Sequence, residues 1–269
     1  MPELPEVEVT RRSFANAITG ARIEAVVMGK PLRWPLGCDP QLLVGQQVVG
    51  LRRRGKYLLL DMEQGLLLVH LGMSGSLRLC DAGTMPEKHD HLDLLLEDGR
   101  LLRYRDPRRF GAILWSDDPG RHPLLASLGV EPLTSDFDGA CLYQQCNGRT
   151  TAIKNLLMDA HQIVGIGNIY ANEALFHAGI DPRLAAGRLS QPRCALLTAA
   201  VKDTLIRAIA AGGSTLRDFV DGQGKPGYFQ QTYFVYGRSG KPCLRCGGPI
   251  QQFRQGTRST FFCPHCQKH

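Results

Sequence analysis

Four cysteines near the C-terminus constrain this chain more than any other feature. They form two Cys-x2-Cys pairs, Cys243 with Cys246 and Cys263 with Cys266, separated by sixteen residues. Two such pairs facing each other place four thiolates in a tetrahedral array, the closed structural Zn²⁺ site of a zinc ribbon. Two disulfides are the alternative, and a cytoplasmic protein favours the metal. The spacing therefore predicts one structural Zn²⁺.

The remaining sequence indicates a cytoplasmic protein without a membrane-spanning segment. Residues 1–6, Met-Pro-Glu-Leu-Pro-Glu, are acidic and lack the apolar stretch of a secretory signal. No run approaches the roughly 18 uncharged apolar residues that a membrane helix needs. The five other cysteines follow no spacing rule, and we interpret them as reduced, mostly buried side chains. They are Cys38, Cys80, Cys141, Cys146 and Cys194.

The formal charge of +7 is concentrated in the last quarter of the chain. Residues 201–269 hold 10 Lys and Arg against 3 Asp and Glu, whereas the first 200 residues carry 22 of each. A basic C-terminal module indicates a polyanionic partner, most simply nucleic acid. A solubilising basic tail is the alternative that charge alone leaves open.

The hydrophobic pattern before residue 118 predicts one helix followed by strands. Leu4, Val7, Phe14 and Ile18 recur at helical spacing, which indicates an amphipathic helix over residues 3–19. Eight short apolar runs follow without a helical pattern between them, which is typical of an antiparallel sandwich or barrel. These runs are Ile23–Met28, Val48–Leu51, Tyr57–Met62, Leu66–Leu71, Ser76–Leu79, Leu92–Glu97, Leu101–Tyr104 and Ala112–Trp115.

Helical patterns dominate after a Pro- and Gly-containing linker at 119–134. The predicted helices are Cys141–Asn147, Ala152–Asp159, Ile169–His177, Gln191–Ala211 and Leu216–Val220. In the segment 164–170, Asn168 can cap the next helix and leave its amide groups free for a phosphate. A plain turn between helices is the alternative. The expected fold is α+β and multidomain.

The N-terminus offers a candidate nucleophile. A small residue after Met1 normally permits removal of the initiator, which would leave Pro2 with a secondary α-amine. Such an amine titrates near pH 8, so a useful fraction is neutral near pH 7, and it can attack a sugar C1′ to form an iminium ion. An ordinary Pro-Glu helix start is the alternative. If Met1 stays attached, the nitrogen is an amide and cannot attack.

Two further clusters are candidates for nucleic-acid contact. The basic residues 52–56 lead into a predicted strand, where such side chains commonly face solvent. Arg108 and Phe110, within the segment 106–111, would suit hydrogen bonding and stacking on exposed bases. A salt-bridged turn with a core phenylalanine is the alternative. The histidines at 70, 89 and 91 show no ligand spacing, so we expect no second metal.

These motifs, in this order, resemble the bacterial formamidopyrimidine-DNA glycosylases over essentially the whole chain. The matching blocks are Met1–Glu8, His70–Ser76, Lys88–His91, Asp106–Gly111, Gly165–Tyr170, Gly224–Tyr228 and the four-cysteine ribbon. The resemblance implies an N-terminal helix with an antiparallel β-sandwich at 2–118, a helix-two-turn-helix DNA-binding domain at 135–223, and a region at 224–269 that ends in a zinc ribbon from about residue 235. It also implies a nucleoid-associated monomer that binds damaged double-stranded DNA across the cleft between its lobes.

The resemblance further implies a bifunctional reaction. Pro2 would displace an oxidised purine, 8-oxoguanine or a formamidopyrimidine, through a Schiff base, with Glu3 as the acid that helps open the sugar. Lys56 would transfer a proton in β-elimination, and Arg258 would act in δ-elimination. The implied DNA contacts are His70, Met73, His89, Arg108, Phe110, Arg149, Lys154 and Asn168.

Two departures and two alternatives qualify this interpretation. Residues 159–162 read Asp-Ala-His-Gln, which varies a helix that often reads Asp-Gln in the family. Arg217 stands where the family often carries lysine, near a loop used over the flipped base. An endonuclease VIII-type glycosylase for oxidised pyrimidines is one alternative, although Leu4 and the long 217–236 loop favour the purine enzyme. A zinc-ribbon DNA-binding protein without catalysis is the other.

Overall fold

The chain forms two compact units in a computed structural model that describes residues 1–118, 120, 122–214, 222 and 227–269. The first unit comprises Met1–Ala126 and Ala211–Tyr228, and the second comprises Ser127–Ala210 and Phe229–His269. Within the described part of the chain, no helix is both long and apolar enough to cross a lipid bilayer.

The first unit begins with helix α1 (Leu4–Ile18). Glu3 is its N-cap residue, and its carboxylate accepts the backbone N–H of Glu6, while the Glu6 carboxylate accepts that of Glu3. This capping box satisfies two N–H groups that a helix start would otherwise leave unpaired. Pro5 suits the first turn because its missing N–H would find no partner within the helix.

Eight strands follow and form two four-stranded sheets. They are β1 (Ile23–Met28), β2 (Val48–Arg54), β3 (Tyr57–Met62), β4 (Leu66–His70), β5 (Ser76–Asp81), β6 (Asp90–Leu96), β7 (Arg100–Arg105) and β8 (Ala112–Ser116). One sheet has the order β1-β6-β7-β5 and the other β2-β3-β4-β8, with antiparallel neighbours. Side chains of α1 and both sheets share one core, which includes Phe14, Leu60 and Tyr104. The predicted antiparallel sandwich is confirmed.

The strands extend beyond the predicted apolar runs where polar residues continue the ladder. β2 runs to Arg54 instead of ending at Leu51, because Arg54 still pairs with Tyr57 across the hairpin. β6 begins at Asp90, two residues before the predicted start. Charged side chains add nothing to an apolar pattern, but their backbone groups complete the antiparallel hydrogen bonds.

The second unit is mainly helical. A short helix, α2 (Pro123–Ala126), precedes it, and its own helices are α3 (Gly139–Cys146), α4 (Ile153–Leu157), α5 (Asn168–His177) and α6 (Gln191–Ala210). These four correspond to predicted helices with bounds that differ by at most two residues. The predicted helix Leu216–Val220 and the position of Arg217 lie outside the described residues.

The chain ends in a two-stranded ribbon, β9 (Gln251–Gln255) and β10 (Arg258–Phe262), which are antiparallel. Val235, Ile250 and Phe261 form a core with Phe176 of α5. The ribbon therefore rests on a helix of its own unit through apolar contacts.

Candidate active site and zinc centre

Pro2 and Glu3 lie at the start of α1, and both are buried. The Glu6 carboxylate holds this start in place, because one oxygen accepts the N–H of Glu3 at 2.8 Å and the other accepts the N–H of Ser214 at 2.8 Å. Ser214 belongs to the segment that returns to the first unit, so Glu6 ties that segment to the N-terminus. Met1 is 38% exposed, and until it is removed the Pro2 nitrogen is an amide.

Two arginines of the basic cluster 52–56 are committed to ion pairs. Arg52 donates to both carboxylate oxygens of Asp61 at 2.5 Å, and Arg53 donates to Glu8 at 3.1 Å. Burial raises the pKa of Glu8, but hydrogen bonds from arginines of α1 outweigh it and lower the pKa to about 2. Arg52 and Arg53 therefore serve the fold of the first unit.

Lys56 precedes β3, and its charge acts on His70 at the end of β4. The His70 ring lies 4.9 Å from that of Tyr57, centre to centre. Burial, and then the charge of Lys56, lower the pKa of His70 to about 4, so the ring is neutral at pH 7. Its Nδ1 accepts the N–H of Gly72 at 3.2 Å, which leaves the proton on Nε2 as a hydrogen-bond donor.

The 106–111 loop after β7 is organised by a buried carboxylate. Asp106 is 0% exposed, and its oxygens accept hydrogen bonds from Ser74 Oγ at 2.7 Å, the N–H of Arg108 at 3.2 Å and the N–H of Gly111 at 2.8 Å. With the carboxylate satisfied inside the loop, Arg108 and Phe110 are directed outward. Phe110 is 51% exposed, so the alternative of a core phenylalanine is wrong.

Two further predicted residues, Met73 and His89, contact this loop. Arg108 Nη1 lies 3.8 Å from Met73 Sδ. The carbonyl of His89 accepts the N–H of Asp106 at 3.0 Å. The structure thus groups Met73, His89, Arg108 and Phe110 around one loop of the first unit, with two exposed apolar side chains among them.

In the second unit, Lys154 and Asn168 both reach the ribbon. Lys154 is 1% exposed. Its amino group donates to the Ser259 carbonyl at 3.2 Å and to Thr260 Oγ1 at 2.7 Å. The Asn168 amide donates to the same Ser259 carbonyl at 3.0 Å. The predicted helix cap at Asn168 is wrong, because Gly167 is the N-cap residue and the Asn168 side chain turns to the ribbon instead.

The two predicted arginines of this unit are exposed. Arg149 follows α3 and donates to Gln162 Oε1 at 3.1 Å. Arg258 is the first residue of β10 and lies opposite Gln255 in the hairpin. The Asn172 amide oxygen accepts the N–H of Phe261 at 2.8 Å, which joins β10 to α5.

The four ribbon cysteines form the metal centre. Their sulfur atoms all lie within 4.8 Å of one another, with 3.9 Å between Cys243 and Cys266 and 3.5 Å between Cys246 and Cys263. Thiolates about 2.3 Å from a tetrahedral Zn²⁺ are about 3.8 Å apart, so the arrangement fits one structural Zn²⁺. A disulfide would bring two sulfurs to about 2 Å. The disulfide alternative is therefore wrong.

Buried carboxylates that hold these sites were not singled out by the sequence patterns. The Glu173 carboxylate accepts the N–H groups of Phe234, Val235 and Tyr236 at 2.8–3.0 Å and so fixes the entry to the ribbon. Burial raises its pKa against the effect of those hydrogen bonds. Glu6 had a usable signal, since it follows Glu3 at capping-box spacing. Glu173 had none, because its partners are about sixty residues away.

Comparison with known proteins defines the class. Three family profiles match in order: the formamidopyrimidine-DNA glycosylase N-terminal domain at residues 1–113, the formamidopyrimidine-DNA glycosylase H2TH domain at 128–220, and the zinc finger found in FPG and IleRS at 240–268. Together they describe a DNA glycosylase with a structural zinc finger. The chain belongs to the formamidopyrimidine-DNA glycosylase family.

Individual relatives match over all or nearly all of their length. The formamidopyrimidine-DNA glycosylase of Albidiferax ferrireducens is 56% identical over 271 residues, covering 100% of both chains. A mutant Lactococcus lactis FPG in complex with Fapy-dG containing DNA has a TM-score of 0.91 at 35% identity, covering 100% of both chains. The MutM (FPG) protein of Thermus thermophilus has a TM-score of 0.88 at 39% identity, covering 99% of this chain and 98% of that one.

Family membership confirms the predicted enzyme class. The chain is a DNA glycosylase that repairs oxidised bases, and the non-catalytic zinc-ribbon alternative is wrong. The predicted structural zinc is confirmed by the zinc-finger profile together with the cysteine geometry.

Proposed function

We propose that this chain excises oxidised purines from damaged double-stranded DNA through a Schiff base on Pro2 and then cleaves the abasic strand. Once Met1 is removed, the Pro2 amine attacks C1′, and the bond from C1′ to the base breaks. Glu3 donates a proton to the sugar ring oxygen as the ring opens, which leaves an iminium between Pro2 and C1′. The damaged base departs in this step and takes up the proton that the Pro2 nitrogen loses.

Strand cleavage follows from the iminium. It acidifies the C2′ proton, and loss of that proton, assisted by Lys56, breaks the C3′–O bond. A second elimination, assisted by Arg258, breaks the C5′–O bond. Water then hydrolyses the iminium, which releases the sugar remnant and regenerates the Pro2 amine. The product is a gap of one nucleoside.

The observation that carries this proposal is the position of Glu3. Its buried carboxylate directly follows the proposed nucleophile and is held at the start of α1 by the capping box. Opening of the sugar ring requires an acid beside the amine. A helix start with a capping role alone could face solvent, whereas Glu3 is buried.

The DNA contacts are assigned to residues of both units. Met73, Arg108 and Phe110 would fill the gap left by the extruded base, since two exposed apolar side chains and a cation stand together there. The remaining proposed contacts are His70, His89, Arg149, Lys154 and Asn168. The Lactococcus lactis relative, whose structure contains Fapy-dG DNA, supports this partner.

We further propose that the chain is a monomer. It would act on the nucleoid in the bacterial cytoplasm, since the named relatives are bacterial. The proposed domains are a catalytic domain at 2–118, a linker at 119–134, a helix-two-turn-helix domain at 135–223, and a C-terminal region at 224–269 whose ribbon begins near 235.

Borohydride trapping on an 8-oxoguanine duplex tests the nucleophile. Only a free amine can form the iminium, so Pro2→Gly, which keeps a processed primary amine, should retain more trapping than a chain with extra residues before Pro2. Circular dichroism would control for folding of the extended chain. Equal trapping by both proteins would overturn the assignment of Pro2.

A further inference from the structure

His91, on β6, contacts two backbone carbonyls from inside the first unit. It is 2% exposed, its Nδ1 lies 2.6 Å from the Lys30 carbonyl oxygen, and its Nε2 lies 2.9 Å from the Asp106 carbonyl oxygen. A carbonyl oxygen accepts hydrogen bonds and cannot donate one. Both contacts are therefore hydrogen bonds only when each ring nitrogen carries a proton. A neutral ring would satisfy one carbonyl and turn a lone pair toward the other.

The two carbonyls belong to two different segments of the first unit. Asp106 opens the 106–111 loop, and Lys30 lies in the segment 29–37 that follows β1. The segments meet again where the Arg109 guanidinium donates to the Pro31 carbonyl. Arg109 has a φ of 58°, a left-handed conformation that residues other than glycine rarely adopt. The loop thus contains a disfavoured conformation that outside contacts must stabilise.

Side-chain packing supports the segment 29–37 mainly at Leu32 and Leu36, which join the core of the first unit. An apolar cavity of about 370 Å³ borders it, and its lining includes Pro31, Trp34 and Leu36 of the segment together with His91 and Leu92 of β6. Side chains that line a cavity forgo part of the contact that fixes a close-packed segment. Backbone hydrogen bonds hold the ends of the segment at Gly29 and Leu36, and the contacts from His91 and Arg109 hold Lys30 and Pro31 between them.

We propose that His91 is a positioning residue for base extrusion, a doubly protonated ring that fixes the 106–111 loop and with it Arg108 and Phe110. The inference rests on the proposed role of Phe110 in filling the gap left by the extruded base. The ring would act only through the loop backbone and touch no reacting atom. Charged side chains of both signs lie on the surrounding segments. The inference therefore rests on the two contacts of the ring and not on the charge of its surroundings. These charged side chains include Lys30, Arg33, Asp90, Asp93, Arg105, Asp106, Arg108 and Arg109.

Nitrogen-15 NMR of the histidine-labelled protein tests the protonation directly. The His91 ring signals, assigned by their loss in His91→Gln, should show a proton on both nitrogens at pH 7. A signal pair from one protonated and one bare nitrogen would overturn the proposal, whatever the enzyme activity.

Single-turnover kinetics test the positioning role. His91→Phe removes both donors, and we expect about a tenfold slower excision from an 8-oxoguanine duplex, with a smaller loss at a preformed abasic site. His91→Gln keeps one donor and should lose less, which provides a second variant if His91→Phe folds poorly. Leu92→Val is the matched control, because it changes the same strand and cavity wall without removing a donor. Parallel losses in excision and abasic cleavage would contradict the proposal.

A double variant separates this inference from the function on which it rests. If His91 acts through Phe110, the losses in His91→Phe and Phe110→Ala should not add in the combined variant. Additive losses would overturn the role of His91. An unchanged excision rate in Phe110→Ala alone would instead overturn the proposed function of Phe110.

Discussion

Among individual residues, Glu3 combines two roles that a single substitution can separate. As N-cap, its carboxylate accepts the N–H of Glu6, and as proposed acid it donates a proton to the sugar. Glutamine keeps an oxygen that can accept the same N–H, but its amide cannot transfer a proton to the sugar. A Glu3→Gln enzyme should therefore fold normally and still lose acid catalysis.

The Glu3→Gln prediction concerns the ratio of two reactions. Excision of 8-oxoguanine should fall by about 10² or more, while cleavage of a preformed abasic site should fall far less, since its base has already left. Both rates are measured under single turnover with the same duplex sequence. If they fall in parallel, Glu3 has only a structural role.

A second prediction for a single residue concerns Arg108 and the base opposite the lesion. The Watson–Crick edge of cytosine has two adjacent acceptors, O2 and N3, that a guanidinium can bind together, whereas that of adenine has one acceptor beside an amino donor. Arg108→Ala should therefore weaken the preference for cytosine over adenine. Single-turnover excision from duplexes that differ only in the opposite base measures this preference. Arg52→Ala is the control, because Arg52 is held by Asp61. An Arg108→Ala enzyme with full cytosine preference would show that Arg108 does not recognise that base.

Among the structural elements, the ribbon depends on both the metal and α5. Four thiolates order the knuckles, and Asn172, Glu173 and Phe176 of α5 hold β10 and the entry to the ribbon. Zinc binding contributes on the order of 10 kcal/mol to the folding of zinc-finger peptides, which is more than any one of these contacts contributes to stability. Without zinc, the hairpin that carries Arg258 should become disordered.

Cys246→Ser tests this dependence. The variant should lose zinc and most of its DNA affinity while the first unit stays folded, which fluorescence can report because both tryptophans, Trp34 and Trp115, lie in that unit. Cys141→Ser, outside the metal site, is the matched control and should keep its zinc. Unchanged DNA affinity after confirmed loss of zinc would contradict the prediction.

For the molecule as a whole, folding stability depends on pH through buried groups such as His70. The folded ring binds a proton only near pH 4, whereas an unfolded histidine binds one near pH 6.5. Between these values the unfolded state holds more protons, so the free energy of unfolding falls as the pH falls from about 6.5 to 4. The contribution of His70 to that loss is at most about 3 kcal/mol.

Urea unfolding followed by tryptophan fluorescence measures this effect in the first unit. The wild-type protein should lose stability steadily between pH 6.5 and 4, and His70→Gln should show a shallower loss over the same interval. Curves that remain parallel for the two proteins would show that His70 does not contribute.

Local patterns account for most of the architecture. The helix at 3–19, the eight strands, four helices and the metal ligands all follow from periodicity or from spacing over a few residues, which the sequence displays directly. The predicted strand ends and the predicted helix cap at Asn168 were wrong. A polar residue can form the same hydrogen bonds with a near partner or with a distant one, so the local pattern does not show which partner it takes. The Asn168 side chain donates to a carbonyl 91 residues away and leaves the adjacent helix end to Gly167.

The fold class, the zinc ligands and, through resemblance, the family could all be predicted before any coordinates. Packing alone established which carboxylates organise the sites, that Lys154 is buried against the ribbon, and that His91 spans two loops. Those outcomes depend on partners far apart in the chain. Burial makes an unpaired polar group costly, so such partners are required, but which groups meet depends on how strands and helices pack.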